Sequence, residues 1–132
     1  MRRAYLAVSL RHRPHLESVI QTLQTCLKKY SIELFVFVDH YHFISNEEVK
    51  MMQTALMEID RSDILIAEVS VKAIGVGLEA GYAAANNKPV WYLRNKASAH
   101  SSTVSGIASE RIFYRDEQDL SDQLVGFIPK YH

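Results

Sequence analysis

Apolar and polar positions in this chain are organised in blocks, and the blocks change period as they go. Residues 4–10, AYLAVSL, are an apolar run bounded by charge, the pattern of a strand buried on both faces. The stretch RHRPHLESVIQTLQTCLKKY repeats Leu16, Val19, Ile20, Leu23 and Leu27 at helical spacing. Pro14 stands where a first helical turn tolerates it, and Lys28 and Lys29 lie in the last turn. Residues 32–38, IELFVFV, predict a second strand. Ser45-Asn46-Glu47-Glu48 has capping-box spacing and predicts a helix with Val49, Met52, Leu56 and Ile59 on one face. Residues 63–69, DILIAEV, predict a third strand, followed by a loop holding Gly75 and Gly77 and a small-residue helix, GLEAGYAAANN. KPVWYL, residues 88–93, reads as the fourth strand with Pro89 at its start. Residues 95–106 are polar and serine-rich and read as a loop. RIFY, 111–114, predicts a short fifth strand, and the last helix is expected from about Asp116, with Leu120, Leu124, Phe127 and Ile128 inward.

Strands alternating with helices call for a parallel sheet covered on both faces. The expected fold is a doubly wound α/β sheet, flavodoxin-like or Rossmann-like, of about five strands. Residues 1–132 are expected to form a single domain, with no repeat and no low-complexity tract. Fifteen basic residues balance fifteen acidic ones, so the electrostatic footprint of a nucleic-acid polymer or membrane-surface binder is missing. No apolar run approaches the roughly 20 residues of a membrane span. The lone Cys26 sits on the apolar face of the first helix and reads as core. The chain runs straight into a strand with no signal-peptide pattern, and the expectation is a cytoplasmic protein.

Open α/β sheets bind ligands beyond the carboxyl ends of their strands, where the strand order reverses. In a flavodoxin-like order that places Ser9-Leu10-Arg11, after strand one, beside Val71–Glu79, after strand three. Three of the five glycines, Gly75, Gly77 and Gly81, fall within seven residues. Glycine lets backbone approach a ligand and take positive φ. The helix that follows would aim free N–H groups into the site, with Glu79 in its first turn. A carboxylate there can act as a nucleophile at a sugar carbon or as a base. The alternative is a helix-start glutamate that only complements the dipole. The spacing is not the full dinucleotide fingerprint.

The segment SDILIAEVSVKAIGVGLEAGYAAANNKPVWYL resembles the signature of the nucleoside 2-deoxyribosyltransferase superfamily, and within it the 2′-deoxynucleoside 5′-phosphate N-hydrolase branch. Asp63, Ala67-Glu68-Val69 and Gly75-Val76-Gly77-Leu78-Glu79-Ala80-Gly81 match its pattern. The strand from Tyr5 through Ser9 to Arg11 is similar to the family's tyrosine strand ending in Gly-Ser-Ile-Arg. The resemblance implies that Glu79 attacks the anomeric carbon of a (2′-deoxy)nucleoside 5′-monophosphate and that Tyr5 holds it by a hydrogen bond. It implies a phosphate held by Ser9, Leu10, Arg11 and the backbone around Gly75 and Gly77. Ser101 or Ser102 would reach the phosphate from a second subunit, which makes a homodimer with shared sites the expected partner arrangement. The ligand is then a small nucleotide or nucleoside, and no cofactor is required.

The chain departs from the family pattern at three points. The aspartate expected eight residues before Asp63 is Ala55; Asp60, five residues on, faces elsewhere on a helix. The glycine before Ser9 is Val8, and a serine before the Gly-Val-Gly is Ala73. Asp39 and His40, after strand two, are candidates for the base pocket. The His40/His42 pair lacks the partners of a metal site, so no metal is expected. Tyr82, Trp91 and Tyr92 are expected to pack rather than stack on a ligand. The resulting expectation is N-glycosidic hydrolysis. The alternatives are base exchange, a catalytically impaired nucleotide-binding module, and a flavodoxin-like interaction domain without a site.

Overall fold

The computed structural model describes residues 2–131. Strand β1 (Arg2–Ala7) leads through a 3₁₀ turn (Arg13–Leu16) into α1 (Glu17–Lys28). Strand β2 (Ile32–Val36) is followed by a single helical turn, α2 (Phe37–His40), and by α3 (Glu48–Asp60). Strand β3 (Ile64–Glu68) precedes α4 (Ile74–Ala85), and β4 (Val90–Asn95) precedes α5 (Ser102–Ile107). Strand β5 (Glu110–Tyr114), α6 (Glu117–Phe127) and a 3₁₀ turn (Ile128–Tyr131) complete the described chain.

All five strands are parallel, in the order β2-β1-β3-β4-β5. This is the doubly wound α/β sheet expected from the alternating pattern, with its order reversing between β1 and β3. Alternate residues of each strand feed two separate cores. Ala4, Leu6, Ile64, Ile66, Trp91 and Leu93 face α1 and α6, where Leu23, Leu27, Leu120 and Leu124 are buried. Tyr5, Ala7, Leu65, Ala67 and Tyr92 face the other way, against Ile59, Val76, Ala80 and Ala83 of α3 and α4. Each fully buried leucine or isoleucine contributes roughly 1.5–3 kcal/mol. The second layer is built from smaller residues. Ala67 on the sheet and Ala80 and Ala83 on α4 bring that helix close to β1 and β3. Cys26, Trp91 and Tyr92 are core residues, as their positions predicted.

Five local expectations are corrected. Strand one spans residues 2–7, so Val8, Ser9 and Leu10 belong to the loop beyond it. Strand two ends at Val36; Phe37 and Val38 start α2. Ser45 does not cap α3: that helix starts from Glu47, whose carboxylate accepts from the Ile44 amide at 3.0 Å. Gly75 and Gly77 lie inside α4, which begins three residues before the expected start at Gly77, and no glycine has positive φ. The serine-rich stretch contains α5, whose Val104 is buried against the sheet. A six-residue helix has too few turns to show a periodic pattern above its polar surroundings.

Candidate functional site

Two segments meet at the carboxyl end of the sheet where the order reverses. The loop after β1 and the start of α4 line a cavity of about 340 Å³. The segment 37–43 and the first half of α3 complete its walls. Val8, Ser9 and Leu10 come from the first loop, Gly75, Val76 and Glu79 from α4, and Met51, Met52 and Ala55 from α3. Most of the lining is apolar or aromatic, including Phe37, Tyr41 and Phe43.

Glu79 is half-buried at this wall, in the second turn of α4 rather than the first. The Tyr5 hydroxyl donates a hydrogen bond to its carboxylate. Tyr5 reaches it from the middle of β1 because odd positions of that strand face α4, and small Ala80 and Ala83 let the helix close in. Burial pushes the Glu79 carboxyl up to about 7, against the opposing pull of the Tyr5 hydrogen bond. Burial and the facing Glu79 raise Tyr5 as well, so it stays a protonated donor. The result is a carboxylate with one fixed donor, a raised proton affinity and an open face toward a ligand-sized space, the pattern of a functional carboxylate.

The first turn of α4 has no side-chain cap at Ala73. Its leading N–H groups are without that partner, and Ala73, Gly75 and Val76 line the cavity. Gly75 lines the cavity and Gly77 a neighbouring groove, and an added methyl group at either would meet nothing within 4 Å. These glycines therefore leave the helix start bare instead of relieving backbone strain.

The expected residues do not all meet. Glu79, Tyr5, Ser9, Leu10 and Gly75 come together. The Ser9 carbonyl also accepts from the amides of His12 and Arg13, both at 3.0 Å, which turns the loop tightly. Arg11 is exposed on this loop and does not line the cavity. Gly77 and Ser101 lie in the separate groove of about 320 Å³ across the first turn of α4, while Ser102 is exposed outside it. Asp39 and His40 are not brought to the cavity. Asp39 takes both its hydrogen bonds, each 2.9 Å, from Arg13, and the His40 ring stacks on Phe35 with centroids 4.5 Å apart. Tyr41 and His42, the next two residues, line the cavity instead.

Sequence reasoning missed the aromatic wall. Phe37, Tyr41 and Phe43 pack together with centroids 5.0 to 6.1 Å apart. The available signal was the density of rings in FVFVDHYHF, far more than a solvated loop needs. Ala55 is buried and lines the cavity where the resemblance expects an aspartate. Asp60 accepts from the Tyr82 hydroxyl at 2.8 Å, well away from the cavity, in line with its helical offset. A larger groove of about 420 Å³ between α1 and α6 is lined by Ser18, Thr22, Cys26, Lys29 and their neighbours. It has no aromatic wall and no carboxylate held by a tyrosine.

Among the described residues no group of three His, Cys, Asp or Glu side chains is placed to hold a metal ion. No described helix is long and apolar enough to cross a membrane.

Fold and site together define an α/β protein with a carboxylate–tyrosine pair over a cavity at the switch point of a parallel sheet. The family model of the nucleoside 2-deoxyribosyltransferases matches residues 4–126, and the chain belongs to that family of enzymes. A Thermofilum pendens protein with the provisional name 2′-deoxynucleoside 5′-phosphate N-hydrolase 1 is 32% identical over 76 residues. That match covers 54% of this chain, and the chain spans about half the length of this curated relative, 53%. In structure the chain is similar to a CMP N-glycosidase of Clostridium botulinum, with a TM-score of 0.69 and 20% identity over 96% of this chain and 100% of that one. It is also similar to a 2-deoxyribosyltransferase of Bacillus psychrosaccharolyticus, with a TM-score of 0.65 and 17% identity over 91% and 90% of the two chains.

Proposed function

We propose that this protein hydrolyses the N-glycosidic bond of a (2′-deoxy)nucleoside 5′-monophosphate, with Glu79 as the nucleophile. The observation that carries this reading is the Tyr5–Glu79 pair at the wall of an aromatic-lined cavity. In its ionised form the Glu79 carboxylate attacks the anomeric carbon as the bond to the base nitrogen breaks, and the base leaves with that electron pair. The glycosyl ester is then opened by water at the same carbon: the hydroxyl stays on the sugar, the remaining proton passes through solvent to the departed base, and (deoxy)ribose 5-phosphate and the free carboxylate result. This is the two-step retaining logic of covalent glycoside chemistry. Tyr5 holds one oxygen of the carboxylate, which leaves the other free to attack, and favours the charged form. The base rests against Phe37, Tyr41 and Phe43, and the phosphate meets Ser9 and the uncapped start of α4.

A second copy of the chain completes the site in this reading. Ile74 and Leu78, one turn apart on α4, are 85% and 57% exposed beside the Ser101 groove. A homodimer seated there carries Ser101 toward the neighbouring phosphate. One observation favours a rival, a nucleotide binder without turnover: Ala55 offers no carboxylate where the family pattern has one.

The test is base release. The protein is incubated with each 2′-deoxynucleoside and ribonucleoside 5′-monophosphate, and with the free nucleosides, and free base is followed by chromatography. The expected result is release from one or more monophosphates that disappears in Glu79→Gln. Tight binding without release supports the rival, and release that survives the substitution removes Glu79 from the mechanism.

A further inference from the structure

Glu58 and Glu68 are buried carboxylates that the proposed chemistry does not use, and Glu58 is the one whose partner lines the cavity. Glu58 is 4% exposed on α3, one turn beyond Ala55. A buried carboxylate persists only where partners replace its water. Here the Tyr41 hydroxyl donates to one oxygen at 2.5 Å, and Arg3 donates to the other at 3.2 Å. Arg61 lies 3.7 Å away on the solvent side. Arg3 is itself held in place: its guanidinium lies over the Phe35 ring at 3.6 Å, and Asp63 accepts from its backbone amide at 2.9 Å. Although burial works against its charge, the Tyr41 bond and Arg3 hold the Glu58 carboxyl below its ordinary value.

The partner of this carboxylate is a wall of the cavity. Tyr41 lies in the irregular segment between α2 and α3, where no helix or strand fixes its rotamer. Its ring stacks on Phe43 at 5.9 Å and 15°, and leans on Phe37 at 5.0 Å. A flat aromatic face strengthens the binding of a stacked base most when it is already in place. We propose that Glu58 is a positioning residue: fixed by Arg3, it locks the Tyr41 ring as the stacking wall for the nucleobase. This rests on the proposed function only in taking a nucleotide as the ligand. It assigns the residue a role in affinity, distinct from the Tyr5–Glu79 chemistry.

The test is a cycle of Tyr41→Phe, Glu58→Gln and the double variant. Dissociation constants for the nucleoside monophosphates are measured by calorimetry, KM and kcat by base release, and folding by thermal melts. Freeing one immobilised side chain costs about 0.5–1.5 kcal/mol, so Tyr41→Phe is expected to weaken binding and raise KM about three- to tenfold, with kcat within about twofold. The double variant is expected to bind no more weakly than the weaker single variant, because both substitutions break the same link. Additive losses, or a loss carried by kcat alone, overturn the proposal. If Glu58→Gln does not fold, Tyr41→Phe decides alone: unchanged affinity and KM overturn it. If the wild type binds a monophosphate without releasing base, hydrolysis fails as the function while the lock is still judged on the dissociation constants. If none of the monophosphates binds, both fail.

Discussion

Two carboxylate–tyrosine pairs lie on opposite faces of the same sheet, and their surroundings differ. Glu68, at the end of β3, is 1% exposed and accepts from the Tyr114 hydroxyl at 2.6 Å, the Ser70 amide at 2.7 Å and the Ser70 hydroxyl at 3.1 Å. Glu79 has one such donor, Tyr5, and its other side opens on the cavity. Burial raises both carboxyls above their ordinary value. A buried carboxylate surrounded by donors has nothing left to give a ligand, so Glu68 ties β3 to β5. One that is desolvated but under-satisfied keeps reactive lone pairs and a high proton affinity. The number of donors, more than burial itself, separates the structural carboxylate from the candidate nucleophile.

The comparison is broken most sharply by removing the charges. Glu79→Gln is expected to lower kcat/KM for base release by at least about 10⁴-fold, the scale of losing a covalent nucleophile. Glu68→Gln is expected to leave it within about tenfold. Equal losses in steady-state assays of the two variants would erase the distinction.

The next largest effect is on stability against pH. The folded carboxyl of Glu79 sits at about 7, above its unfolded value of 4.5. The folded state therefore binds the extra proton between those values. The resulting stabilisation is complete below 4.5 and is lost as pH rises through 7, by at most about 3 kcal/mol. Urea melts from pH 4 to pH 8 are expected to show Glu79→Gln gaining on the wild type as pH rises. Parallel curves would mean that burial does not raise this group.

Smaller again is the effect of the second tyrosine. Tyr114→Phe strips one donor from the closed pair and is expected to lower stability by about 1–3 kcal/mol, with turnover per folded molecule unchanged. Tyr5→Phe is expected to act mainly on the chemistry. Its hydrogen bond lowers the Glu79 carboxyl, so its loss moves the acid limb of kcat/KM to higher pH. A pH–rate profile with the same limb in both proteins would show that Tyr5 does not hold the ionised form.

The main lines of the fold were legible in the pattern of residues. Runs such as AYLAVSL and DILIAEV are apolar on both faces because strands between two helical layers touch no water. Amphipathic stretches at helical spacing then have to cover them. Glu79 was legible too, through its place beside a glycine-rich βα junction and through its resemblance to a family pattern. The glycines themselves were read as loop residues, and the structure corrects that. They belong to α4, where they leave its first turn bare.

What one-dimensional order could not supply was which neighbours share a cavity. Asp39 and His40 have the right chemistry and lie within three residues of the aromatic wall, yet Arg13 and Phe35 draw them away. That outcome depends on where the turn of α2 points each side chain. Tyr41 and Glu58 are 17 residues apart, one in the segment after α2 and the other on α3. Their contact exists only because the fold brings the last turns of α3 beside the start of β1, where Arg3 donates to the same Glu58 carboxylate. Hydrophobic period is a local property and is written along the chain. The satisfaction of a buried charge is a property of three-dimensional packing, and tertiary structure alone decided which carboxylate was closed off and which was left open to a ligand.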